Sequence, residues 1–170
     1  MGIPLTTIKS ALKVDYDDDD RELTRLREAA MSLISRNTGL ALEPASYELY
    51  LVEWRDTLFP AFPFSSLTHV KYTTGGVLTT VPAADYWIDR SDAMPMLRFL
   101  EKPAIDEGTA IVVTYVAGYA DMPPEVVHAV ISLVGHWYNN PEASQPITLS
   151  TVPLGLQYIL DSITTKVGFR

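Results

Sequence analysis

The stretch VTYVAGYADMPPEVVHAV, Val113 to Val130, holds the change of period that decides the fold. Its first half is rich in Val and Tyr, the residues that suit a pleated, half-buried strand. A Gly-Tyr turn and a Pro-Pro pair follow, and then apolar residues recur at helical spacing. An enzyme's strand-to-helix turn would present a nucleophile or a Gly-rich phosphate cradle here. This turn offers Gly118, Tyr119, Asp121 and two prolines, with neither a Ser nucleophile elbow nor a phosphate loop. The join is structural: it closes a sheet and opens a core helix.

Downstream, the polar residues Glu125, His128, Ser132, His136 and Asn139 are spaced 3, 4, 4 and 3. That spacing puts them on one narrow stripe, with Val126, Val127, Val130, Ile131, Leu133, Val134 and Trp137 around the rest. A nearly buried helix is expected over 123–140, opened by Pro123-Pro124 and ended by Asn140-Pro141. His128 and His136 stand eight residues apart, about 12 Å along a helix axis and too far to share one ion unaided. They read as solvated or interface histidines.

Upstream, the segment 45–119 is strand-like, with Tyr, Val, Thr, Trp and Phe in short runs between Pro and Gly. YELYLVEW, DYWID, MLRFL and TAIVVTYVAGY are candidate strands. LTHVKYTTGGVLTTV reads as a hairpin, with Gly75-Gly76 supplying the positive φ angles of its turn. TLFPAFPFSS carries Pro60 and Pro63 among three Phe, so it is an edge or a loop. Its aromatics either cover the sheet or form a contact surface.

The first forty residues are a helix pair with an acidic corner. Leu5, Ile8 and Leu12 mark a short helix over Pro4 to Val14. Leu23, Leu26, Ala30, Leu33 and Ile34 mark a second, which Gly39 stops. Between them lies DYDDDD, Asp15 to Asp20. As a calcium loop counted from Asp17 it would end on Glu28, but Arg21 and Glu22 fall where an oxygen ligand and a Gly are needed. Counted from Asp15, it would end on Leu26. The corner reads instead as a turn whose acids cap the next helix. No carboxylate pair is singled out for acid–base work, and no catalytic residue, cofactor or metal is assigned.

Composition bounds the rest. The 170 residues suffice for one core that buries roughly 70% of the unfolded chain's surface. Cysteine is absent, which excludes disulfides, thiolate metal sites and a Cys nucleophile. The net charge of −8 opposes broad electrostatic attraction to nucleic acid. No signal peptide or membrane span is read from the chain. EASQPITLSTV (142–152) is a polar linker. The segment 153–170 holds a marginal helix with Leu156, Ile159, Leu160 and Ile163 on one face. It closes on a tail carrying Lys166 and Arg170, which either frays or orders on a partner. The expected class is α+β: a helical core with an inserted antiparallel sheet region, in a single domain over 1–170.

In order along the chain, several motifs resemble the tailed-phage head–tail connector (adaptor, head-completion) proteins. They are a short helix, an acidic corner, and a helix ending in Arg36, Thr38 and Gly39. Pro82 to Tyr86 follow the hairpin. Next come VTYVAGY (Val113 to Tyr119), then Pro124, Val127 and Val130, then His136 to Glu142. Pro153-Leu154-Gly155 precede the last helix. Asn139 departs from the Glu usual after Trp-Tyr. The resemblance implies a non-enzymatic subunit of a roughly dodecameric ring in the virion neck, set between portal and tail. Its partners would be its own copies, the portal protein, and a tail or head-closure (stopper) protein, with DNA passing the channel unbound. It further implies portal contact by Leu156, Tyr158, Ile159, Lys166, Phe169 and Arg170. Contact between subunits would fall to Asp17, Asp18, Arg21 and Arg25. A tail-completion protein of the same particle, and a small-ligand-binding or hydrolytic α+β domain with its pocket near Tyr119 and Asp121, are the alternatives.

Overall fold

The computed structural model describes residues 2–91, 94–140 and Asp161. Within them the chain forms two compact units: residues 2–43 with 119–140, and Pro44–Gly118. The second is inserted between two helices of the first, so the class is α+β.

In the helical unit, α1 spans Leu5–Leu12, α2 Asp20–Thr38 and α3 Pro124–Asn139. Pro4 opens α1, its carbonyl accepting from Thr7 and Ile8 at 3.1 and 3.4 Å. The helix stops before the expected Val14 because Lys13 turns left-handed (φ 59°), which sends the amide of Val14 back to Lys9 O at 3.0 Å. The predicted stripe of α2 is buried: Leu23, Leu26, Ala30, Leu33 and Ile34. Gly39 ends it at φ 70°, where a Cβ would be strained. Thr38 is buried just before, its hydroxyl donating to Ile34 O (2.7 Å) and accepting from the amide of Leu40 (3.3 Å). In α3, Val126, Ala129, Val130, Leu133, Val134, Gly135 and Trp137 are buried. The five polar residues of the stripe stay exposed or half-exposed, as their spacing requires. A Cβ at Gly135 would lie 2.9 Å from Leu12 Cδ2, so this glycine lets α1 approach α3 closely.

The inserted unit holds β1 (Ala45–Leu51), β2 (Thr57–Leu58), β3 (Phe64–Thr74), β4 (Val77–Thr80), β5 (Tyr86–Asp89), β6 (Met96–Phe99) and β7 (Ile111–Ala117). They form two antiparallel sheets, β1-β7-β3-β4 and β2-β6-β5. β7 lies inside the larger sheet, which is why VVTYVA shows no clean alternation of burial. The inner faces meet through aromatic rings. Phe59 stacks on Phe64 (4.2 Å between centroids) and leans on Tyr115 (4.9 Å), while Trp54 meets Tyr72 and Phe99 edge-on. Phe59 and Phe64 are therefore buried cover for the sheet, which decides that role for TLFPAFPFSS. Trp54, expected within the first strand, has left it and donates its indole N–H to Pro103 O at 2.6 Å. Gly75 and Gly76 take φ 58° and 75° at the β3–β4 turn, the conformation of a two-residue hairpin loop. Both turn amides donate to the Asp106 carboxylate, at 2.9 and 2.7 Å.

Candidate functional site

The acidic corner folds inward onto one lysine. Lys9, on α1, donates from Nζ to Asp17 Oδ1 and Asp20 Oδ1, both at 2.6 Å. These bonds raise the Lys9 pKa and lower that of Asp17, since each charged form is held by its partner. On the other side, Tyr138 of α3 donates its hydroxyl to Asp19 Oδ2 and accepts from Tyr16 at 3.1 Å. The Asp19 carboxylate holds the phenol proton and pushes the Tyr138 pKa well above its ordinary value. The corner is thus pinned to α1 and α3. No cluster of three or more His, Asp or Glu side chains suited to a metal ion forms among the described residues.

The four residues expected at a subunit contact share this corner but differ in freedom. Asp17 is drawn to Lys9, and Arg25 is held by Glu22 through paired bonds of 2.9 and 2.6 Å. Asp18 and Arg21 keep exposed side chains. Leu156, Tyr158, Ile159, Lys166, Phe169 and Arg170 lie outside the described residues. Lys9, Asp19 and Tyr138 were not singled out by the sequence. A contact between residues 119 positions apart leaves no periodic trace that could reveal it.

Two cavities open beside the N-terminal segment. One, of about 540 Å³, is lined by Gly2, Ile3, Pro4, Arg27, Glu28, Met31 and Glu43. Arg27 reaches across it to donate to Ile3 O at 3.2 Å. The other, of about 280 Å³, is lined by Gly2, Ile3, Pro4, Thr7, Asp121, Met122 and Val127. Asp121 is the one titratable side chain in that second lining, so the cavity offers no acid–base pair.

In the inserted unit, the outer face of the smaller sheet carries a charged knot among apolar side chains. Arg98 donates to Asp89 Oδ2 (2.8 Å) and Asp56 Oδ2 (3.0 Å). Leu58, Trp87 and Leu100 are exposed nearby. Asp89 also accepts from the hydroxyl and amide of Ser91, at 2.6 and 3.0 Å. Those two bonds first, and Arg98 next, hold its pKa at about 2 against an ordinary 3.8. A depressed folded-state value contributes stability that is complete above the unfolded value and fades as pH falls through the folded one. The melting temperature should therefore drop more between pH 4 and pH 2 in the native chain than in Asp89→Asn. Parallel pH profiles would show that the knot contributes nothing.

No protein-family model matches the sequence, and no curated protein matches it. Solved structures do. One chain in the neck of an empty gene transfer agent particle, computed with C6 symmetry, aligns with 95% of this chain and 89% of its own length. The TM-score is 0.76 at 22% identity. A chain in the virion of the native gene transfer agent particle gives 0.77 at 22% identity, over 95% of this chain and 88% of that one. A chain in the native neck, computed with C12 symmetry, gives 0.70 at 22% identity, over 96% and 91%. This protein has the fold of gene transfer agent neck chains. At 22% identity the likeness rests on the path of the backbone; it assigns no role to individual side chains.

Proposed function

We propose that the chain is a structural, non-enzymatic subunit of a phage-like virion neck: a ring adaptor between portal and tail that extends the DNA channel after packaging. The observation that carries this is a fold shared over 95% of the chain with a chain from a particle neck computed with C6 symmetry. A neck computed with C12 symmetry holds another chain of this fold. Cyclic symmetry is what a closed ring of identical subunits displays. The charge suits the role: −8 per subunit, repeated around a channel, makes a wall past which DNA slides without sticking. Asp18 and Arg21, exposed at the corner, are the proposed subunit contacts, beside Asp17 and Arg25.

Electron micrographs of the purified chain, alone and mixed with portal protein, test the reading. Rings coaxial with the portal are expected; a solitary chain that turns over a substrate would end it. A tail-completion protein would instead dock on the tail tube. The proposed portal contacts, from Leu156 to Arg170, give a second test. Deleting Thr164 to Arg170 should leave thermal unfolding within about 0.5 kcal/mol of the native chain, if the segment serves docking and not the fold of the single copy. It should also abolish co-sedimentation with portal. Undiminished co-sedimentation would remove this segment from the portal contact.

A further inference from the structure

We infer that neighbouring copies join through the two edges of the four-stranded sheet that no other described strand covers, β4 of one copy pairing with β1 of the next. The inference rests on the ring reading and supplies the surface by which such a ring closes.

A ring needs a head-to-tail interface, in which two different surfaces of the same chain meet. The sheet β1-β7-β3-β4 has one such surface at each end. Every pairing within it is antiparallel, so β1 and β7 run oppositely, as do β7 and β3, and β3 and β4. With four strands, β4 therefore runs antiparallel to β1. A copy placed alongside without inversion brings its β1 against β4 in the antiparallel sense and on the same face. The alternation continues unbroken from copy to copy. An odd number of strands would have set parallel edges side by side.

Neither strand carries lysine, proline or a dense run of charge, three of the devices that block strand addition, and β4 is short at 4 residues. β4 is Val-Leu-Thr-Thr, with Val77 and Leu78 63% and 61% exposed. β1 carries a single charge, Glu48, and its Tyr50 is 60% exposed. Opposing Leu78 to Tyr50 of the next copy sets an exposed leucine against the exposed ring of a tyrosine whose hydroxyl donates to Glu48 on its own strand. The same register sets Thr80 opposite Glu48 of the next copy. Thr80 is already opposite Lys71 on β3, so Lys71, Thr80 and Glu48 form one row. Lys71 has no ion pair among the described residues, and the row offers it one of opposite sign.

The chain lacks cysteine, so introduced thiols report cleanly. Within one copy, positions 50 and 78 sit three strand spacings apart, about 14 Å, beyond a disulfide's reach. The full-length double variant Leu78→Cys/Tyr50→Cys is oxidised under the conditions that give rings. A non-reducing ladder of covalent multimers is expected. Mixing the two single variants should give dimers, and neither alone should cross-link. Leu78→Lys, on a surface position, should keep the native melting temperature and weaken association at least tenfold. Rings in the native chain without a ladder, or single Leu78→Cys cross-linking to itself, overturn the edge pairing and leave the ring reading standing. A native chain that forms no ring, alone or with portal, and gives no ladder overturns both.

Discussion

Replacing Tyr115 by alanine is expected to destabilise the inserted unit by about 3–5 kcal/mol, the range for removing a large buried aromatic. Tyr115 is 2% exposed on β7, inside the larger sheet. Its ring stacks with Tyr47 at 5.7 Å and Phe64 at 6.3 Å and meets Phe59 at 4.9 Å. Alanine would leave a cavity that the flanking strands, held by their ladders, cannot close. A whole domain retains only about 5–15 kcal/mol, so this one change approaches global unfolding. Tyr115→Phe separates the two parts of the effect. It keeps the ring but strips the acceptor for the amide of Ala61, now at 3.1 Å from the hydroxyl. That orphaned amide should cost about 1–3 kcal/mol. Chemical denaturation followed by tryptophan fluorescence reads both, because Trp54 packs in the same core. Equal midpoints for Tyr115→Ala and the native chain would refute this account of the core.

Leu133→Ala should have the second-largest effect, about 2–5 kcal/mol. Leu133 is fully buried on α3, which packs against both α1 and α2. His128→Ala, on the exposed stripe of the same helix, should stay within about 0.5 kcal/mol of the native chain. The contrast tests whether the spacing of polar residues reports burial. Comparable losses at the two positions would mean that it does not. A loss confined to Leu133 would also show that His128, exposed on that stripe, contributes little to the fold.

The helices were legible because burial on a helix repeats every 3.6 residues, and α2 and α3 each carry that period over four turns or more. The hairpin was legible because two glycines meet the φ requirement of its turn. Local signals stopped where pairing became distant. Ala45 lies opposite Ala117, and Leu51 opposite Ile111; nothing near either strand names its partner. The division into two sheets and the burial of Phe59 and Phe64 likewise follow from that pairing. YELYLVEW ran on to Trp54 as a strand candidate because aromatics favour strands. In the fold, an edge-on seat between Tyr72 and Phe99 takes that indole out of the ladder.

The acidic corner shows the same division. Register against the calcium loop was decidable from spacing, since coordination needs particular residues at particular steps. That Lys9 would gather Asp17 and Asp20, and that Tyr138 would bind Asp19, was not. Those bonds depend on where α1 and α3 come to rest.

By itself, then, the sequence determined where the described helices, the hairpin and the longer strands lie, because these choices are settled among neighbours a few residues apart. The tertiary structure alone decided which strands pair, which of them stand at the ends of each sheet and which charges meet. Each of those is a contact between residues far apart in the chain, and only the closed core brings them within reach.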